Sequence, residues 1–160
     1  MFRADGLLLP VKTSSVDFCI SIAVIHHFSN PNLRKKALTE LLRIVRPGGR
    51  VLVTVWALEQ NKKFKTADVF VPWNLNKVYH SNNEAKGLEK KKEEIVEAKA
   101  TDDSRPEVFR DDEKNAVVYK RYYHLFVYKE LESLLEEIGG LKIQDSFYDR
   151  DNWCVIFEKL

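Results

Sequence analysis

Residues 17–27, Asp-Phe-Cys-Ile-Ser-Ile-Ala-Val-Ile-His-His, make a continuous apolar run that opens on an acid and closes on two adjacent histidines. A run apolar at nearly every position, without alternation, is the pattern of a strand buried on both faces. A helical pattern follows, then Pro47-Gly48-Gly49, then a second apolar run from Arg50 to Trp56. Strand, helix and strand within about forty residues predict a βαβ crossover with parallel strands. Ligands of such sheets bind outside the carboxyl ends of the strands. His26 and His27 fall at that end of the first strand, so the chemistry is expected there.

Between the two runs, Ser29 or Asn30 can cap a helix that Pro31 begins. Leu33, Ala37, Leu38, Leu41, Leu42 and Val45 share one face at helical spacing, while Arg34, Lys35, Lys36, Arg43 and Arg46 take the other. That basic face is either a solvated surface or an RNA contact. Pro47 and the two glycines are expected to end the helix.

The chain of 160 residues is one domain's worth. It has no apolar stretch of the roughly 18 residues a membrane span needs, and no signal segment opens it. Cys19 and Cys154 both sit in expected strands and form no CxxC pair, which suits buried thiols in a reducing compartment. No metal site is expected from this chain alone. A net charge of +2 is too small to announce a nucleic-acid binder and does not exclude one.

Residues 58–117 read as a long insert without strong periodicity. Within it, 68–73 (Asp-Val-Phe-Val-Pro-Trp) is apolar and aromatic, and 84–114 is a charged tract that is either a loose helix or disordered. Order is expected again from Tyr119. A helix follows, with Leu131, Leu134, Leu135 and Ile138 at helical spacing and Gly139-Gly140 as its stop. Two closing strands, 141–148 and 153–157, are joined by the polar turn 149–152 and so must be antiparallel.

This order of elements resembles the C-terminal portion of a class I S-adenosylmethionine methyltransferase, a Rossmann-like α/β fold whose mostly parallel sheet ends in an antiparallel hairpin. The motifs sharpen the resemblance. Asp5-Gly6 with Pro10, the strand ending His26-His27-Phe28-Ser29, and Trp56-Ala57-Leu58-Glu59-Gln60 are three of them. Val71-Pro72-Trp73, Arg121-Tyr122-Tyr123-His124 and Asp151-Asn152-Trp153 are the others. Together they are similar to the tRNA methyltransferases that esterify 5-carboxymethyluridine at the wobble position, including the methyltransferase domain of the AlkB-homologue tRNA hydroxylase.

The resemblance implies S-adenosylmethionine as cofactor, a tRNA anticodon loop as substrate, and a small zinc-binding activator subunit as partner. It implies the cytoplasm, or the nucleus as well, as the compartment. Asp5 would accept a hydrogen bond from the adenine amine, with Gly6 leaving room for the ring; a loop-capping Asp5 is the alternative. Ala23 and His26 would lie against the cofactor, with His26 facing the transfer site and His27 packed. Arg121 and Arg150 would hold the carboxylate, unless they serve as structural ion pairs. Tyr122, Tyr123, Trp73 and Trp153, with Asp151 and Asn152, would receive the anticodon base, although single aromatics often belong to a core.

The family pattern begins with a strand and a Gly-rich loop under the cofactor. The glycines here are at 6, 48, 49, 87, 139 and 140 and make no such loop. The chain is therefore expected to carry a partial domain, 1–160, lacking about half the sheet. A catalytically incomplete module that binds tRNA or the activator is the alternative to an enzyme. A small-molecule or quinone methyltransferase of the same fold is the other, and the Arg121 and Asp151 motifs argue against it.

Overall fold

The structure, a computed structural model, describes residues 3–60, 64–76, 96–97, 108–111 and 116–160. The charged tract expected at 84–114 lies outside the described residues except at 96–97 and 108–111. In chain order the elements are β1 (Val16–Ile22), a 3-10 turn (Ile25–His27), α1 (Pro31–Ile44), β2 (Val45–Trp56), β3 (Asp68–Asn76), β4 (Val96–Glu97), β5 (Val108–Asp111), β6 (Ala116–His124), α2 (Glu130–Ile138), β7 (Leu141–Asp149) and β8 (Asn152–Lys159). They divide into two compact units, Met1–Ala67 with His124–Leu160, and Asp68–Tyr123.

The first unit is built on the sheet β1-β2-β8-β7. β1 and β2 are parallel, with Cys19 opposite Val51 and Ile22 opposite Thr54. β8 runs antiparallel to both β2 and β7, so the closing hairpin folds back into the sheet as its tight turn requires. Val51, Val53 and Val55 of β2, with Val155 and Phe157 of β8, turn one face toward α1 and α2. There they join Ala37, Leu38, Leu41, Leu131, Leu134 and Leu135 in a single core. Of the α1 stripe read from the sequence, Ala37, Leu38 and Leu41 are core and Leu42 packs against it, while Val45 belongs to β2 and Ile44 takes a core place in the helix.

The crossover is tightened at its start and at its end. Asn30 Oδ1 accepts the N–H of Asn32 at 2.8 Å, and Pro31 opens α1 where its missing donor costs nothing. α1 stops at Ile44, before Pro47, and Val45 is already extended. Pro47 has no N–H to offer the Arg43 carbonyl, and Lys159 Nζ donates instead to the carbonyls of Val45 at 2.9 Å and Arg43 at 3.4 Å at the negative end of the helix. Between Val45 and Arg50 the pairing register slips, and Gly48 turns through a φ of 77°. Gly49 then passes so close to β1 that a Cβ there would lie 2.7 Å from the Asp17 carbonyl and 2.5 Å from Val45 Cγ1.

β1 departs from the sequence reading on one face. Phe18, Ile20 and Ile22 are exposed by 74, 68 and 61 %, whereas Ser21 on the opposite face is buried. Both helices pack on the Ser21 side, and among the described residues nothing covers the other. The basic face of α1 departs as well. Arg34 is buried, with Nη1 donating to the Phe28 carbonyl at 2.9 Å. Arg43 reaches Glu40 and the carbonyls of Leu9 and Val11, Arg46 pairs with Asp17 at 2.6 Å, and Lys35 pairs with Glu137. Arg34 and Arg43 thus brace the chain internally, whereas the Arg46 and Lys35 pairs lie at the surface and Lys36 is exposed.

The second unit holds the sheet β4-β3-β6-β5. Residues 68–73 of the insert are its strand β3, and Val69 is buried there. Periodicity did not announce this strand because Pro72 interrupts it.

Replacing Gly49 with alanine is expected to destabilise the first unit by about 1–3 kcal/mol, because the clash is with backbone and cannot relax cheaply. Urea unfolding of the variant checks this. A Phe18→Ser, Ile20→Thr, Ile22→Thr variant is expected to raise the monomer fraction in sedimentation without lowering the melting temperature, since these side chains bury little in the chain itself.

Candidate functional site

The carboxyl ends of β1 and β2 lie side by side, and the sequence motifs of the first unit gather there. Ala23 leaves β1 with its N–H bonded to the Thr54 carbonyl at 3.1 Å and a φ of 57°. A left-handed alanine is strained by about 1–2 kcal/mol, and such strain concentrates at functional sites. Beside it opens a cavity of about 480 Å³, whose walls include Gly6, Ser21, Ile22, Val24 and Phe28. Among the described residues lining it, none is charged.

Asp5 sits in the loop before this cavity. Its Oδ1 accepts the Leu7 N–H at 2.9 Å, the turn-capping role that was one of its two readings, and its carboxylate remains exposed. The loop is tied down through Glu40, whose Oε1 accepts the Leu9 N–H at 2.7 Å. The Arg43 guanidinium bonded to Glu40 holds that carboxyl below its ordinary value, against the opposing effect of burial.

His26 is fully buried at 0 % exposure, so its ring is turned inward and does not face an open transfer site. Nδ1 accepts the Trp56 N–H at 3.0 Å, which ties the turn after β1 to the end of β2. An accepting Nδ1 requires the neutral ring. Burial, then the neighbouring His27 and His124, push its pKa down to about 3. His27 is the exposed member of the pair, the reverse of the sequence assignment.

Beyond β2 the chain continues as Ala57-Leu58-Glu59, bonded alongside Leu125–Phe126 by Leu58 N–H to the Phe126 carbonyl at 2.9 Å. Glu59 is a hub that no sequence spacing singled out. Its carboxylate accepts the Trp153 indole N–H and the Tyr128 backbone N–H, both at 3.0 Å, and its carbonyl accepts the Tyr148 hydroxyl at 2.7 Å. Arg150 and Asp151 form the two-residue turn between β7 and β8, with φ of 43° and 66°. Both central residues are left-handed, a geometry that asparagine and glycine adopt most readily. The Asn152 amide donates to the Asp149 and Arg150 carbonyls at 3.2 and 2.8 Å and so holds the turn from within. Loss of solvent, then the Asp151 carboxylate, pushes the Tyr148 hydroxyl above its ordinary pKa.

Beneath these loops, His124 Nε2 lies 2.6 Å from Glu130 Oε1. Burial alone would raise the Glu130 pKa; the His124 contact and the Val127 N–H outweigh it and lower it.

In the second unit, the Arg121 guanidinium lies 3.5 Å from the centre of the Trp73 ring, a cation–π stack on the exposed side of β6. Tyr122 is hydrogen-bonded to Asp68, and its ring meets Phe70 at 6.0 Å. Tyr123 is buried at 9 % exposure. It is a packing residue in this structure, not a face a base could reach.

A family model described as a methyltransferase domain matches residues 1–53. The tRNA (carboxymethyluridine(34)-5-O)-methyltransferase of Schizosaccharomyces pombe is 40 % identical over 166 residues, covering 99 % of this chain and 64 % of that protein. By sequence the chain is similar, along nearly its whole length, to tRNA carboxymethyluridine methyltransferases. The Arabidopsis thaliana enzyme of the same name is 31 % identical, with 98 % of this chain and 61 % of that one covered. The alkbh8 enzyme of Xenopus tropicalis is 32 % identical, with 99 and 29 % covered. The chain thus spans less than two thirds of the length of these relatives.

Solved structures carry the same fold at low identity. An S-adenosylmethionine-dependent methyltransferase from Clostridium acetobutylicum superposes with a TM-score of 0.59 at 12 % identity, covering 98 % of this chain and 63 % of that one. The CcbJ methyltransferase of Streptomyces caelestis gives 0.59 at 8 %, covering 98 and 62 %. The Rossmann-like class I methyltransferase fold read from the sequence is the fold of this chain. Among the described residues no helix is long and apolar enough to cross a membrane.

Because His26 is neutral when folded and titrates near its ordinary 6.5 when unfolded, protons favour the unfolded chain below that value. Stability is expected to be full above pH 6.5 and to fall by about 1.4 kcal/mol per pH unit below pH 6. The fall steepens below the ordinary 4.5 of Glu40 and Glu130, whose folded values are lowered. Urea titrations between pH 7 and 4 measure this slope. His26→Asn keeps an acceptor for Trp56 and is expected to flatten the upper part of it; an unchanged slope would mean that His26 is not the group responsible.

Proposed function

We propose that this chain is the part of a tRNA methyltransferase that esterifies the carboxylate of a wobble 5-carboxymethyluridine with a methyl group from S-adenosylmethionine. The observation that supports it most is the 40 % identity to the S. pombe enzyme over 99 % of the chain. A tRNA substrate and two unpaired thiols accord with work in the cytoplasm, or the nucleus as well.

The residues present fit the adenine end of the cofactor. Asp5 offers an acceptor-only carboxylate to an exocyclic amine, and Gly6 and the apolar cavity wall accept a flat ring. When bound, the cofactor supplies an electrophilic methyl on a sulfonium. A carboxylate of pKa near 4 is ionised at neutral pH, so no side chain need act as a base. The chain's task is placement. Arg121, or Arg150 in its strained turn, would hold one carboxylate oxygen and leave the other free to face the methyl group that the cofactor would supply. His26 would act by fixing the turn after β1 against Trp56, and Ala23 by letting the backbone approach closely. Tyr122, Trp73, Asp151, Asn152 and Trp153 would receive the anticodon loop.

One observation favours the second reading, a tRNA- or activator-binding module without catalysis: none of the described cavity-lining residues is charged. Methyl-labelled cofactor and tRNA carrying 5-carboxymethyluridine, with and without a zinc-binding activator subunit, separate the two. The enzyme reading expects label in tRNA that mild alkali releases, as an ester must. Arg121→Ala is expected to lower the rate about 10- to 100-fold, as loss of a charged hydrogen bond to the reacting group does. tRNA binding without alkali-labile label in either case would favour the module.

A further inference from the structure

We propose that Tyr128, Tyr148 and Trp153 together form a preassembled platform on which an unpaired nucleobase of RNA stacks; this rests on the tRNA reading above. Trp153 meets Tyr148 edge-on at 5.0 Å and 71°, and Tyr128 tilted at 5.4 Å and 55°, so the three rings form one aromatic cluster that a base could stack on at an exposed tyrosine face. The polar groups of the Trp153 and Tyr148 side chains are already engaged, and the Tyr128 backbone is anchored beside them. The Trp153 indole N–H and the Tyr128 backbone N–H both end on the Glu59 carboxylate, and the Tyr148 hydroxyl is shared between the Glu59 carbonyl and Asp151 Oδ1 at 3.1 Å. Tyr128 and Tyr148 are 63 and 43 % exposed, so both side chains are open to a ligand.

The chemistry around the rings selects the occupant. Lys129 Nζ stands 5.4 Å from the centre of the Tyr128 ring, and the exposed Arg150 projects from the neighbouring turn. A π face with an exposed guanidinium on the adjoining turn, and an ammonium shared with Glu132 at 3.4 Å, complements a flat base followed by its phosphate. The backbone is strained at both supports, with left-handed φ at Lys129, Arg150 and Asp151, as at other ligand clamps. The patch also lies just past the carboxyl end of β2, the side on which sheets of this kind bind ligands. Rings fixed in advance lose little freedom when a base arrives.

Fluorescence anisotropy of a labelled RNA hairpin with an anticodon-sized uridine-rich loop, titrated with the whole chain, tests this. Tyr128→Ala is expected to weaken binding about 5- to 150-fold, with Tyr128→Phe within about twofold of wild type and Tyr128→Trp at least as tight. The slope of log K against log salt is expected to stay unchanged in Tyr128→Ala and to fall by about 0.7 in Arg150→Ala. A wild-type chain that binds the hairpin equally well as Tyr128→Ala overturns the platform and leaves the tRNA reading standing. A wild-type chain that binds no hairpin overturns both. Unchanged RNA binding with loss of self-association in Tyr128→Ala would assign the patch to a protein contact and overturn the proposal.

Discussion

The parallel pairing of β1 with β2 is the constraint on which the first unit depends. Parallel strands joined by one helix bring both carboxyl ends to the same edge, so two loops far apart in sequence emerge as neighbours. The pairing needs β2 to approach β1 closely at its start, and Gly49 permits this because any Cβ there would strike the Asp17 carbonyl. At the other end the same pair is locked by His26 accepting the Trp56 N–H. A backbone donor that would otherwise face a turn is satisfied by a side chain that must stay neutral to do so. Everything at the candidate site, from Ala23 to Glu59, hangs from these two fixed points.

Glu59 extends that frame. It follows β2 by three residues and collects donors from three separate segments, around Tyr128, Tyr148 and Trp153. An acid with both carboxylate oxygens accepting N–H groups serves as a bracket, and the aromatic side chains it gathers lose rotamer freedom on folding and not on binding. The strained turn at Arg150 and Asp151 belongs to the same assembly, since Ala57 donates to the Asp151 carbonyl at 3.0 Å.

Much of this was legible in the sequence where local pattern and tertiary demand agree. Leu131, Leu134, Leu135 and Ile138 predicted α2, the apolar runs predicted β1 and β2, and the tight polar turn required the antiparallel β7–β8 hairpin. What was hidden depends on partners distant in sequence. Arg34 and Arg43 read as surface charge because no spacing reveals that a guanidinium will be claimed by the Phe28, Leu9 and Val11 carbonyls. His26 and His27 are adjacent, and only the turn geometry decides which is buried. Phe18, Ile20 and Ile22 read as buried because composition reports what a strand prefers, whereas exposure reports what packs against it. The role of Glu59 was invisible for the same reason, although its place in the Trp56–Gln60 motif was a signal that the resemblance carried and the spacing did not.

The most direct test of the central claim, that RNA is received at the carboxyl edge of this fold, is photo-crosslinking of a thiouridine-substituted anticodon hairpin followed by peptide mapping. Crosslinks within 56–60, 124–128 and 148–153 are expected. Crosslinks confined to the basic side of α1, at Arg34 to Arg46, would place the RNA elsewhere and contradict it.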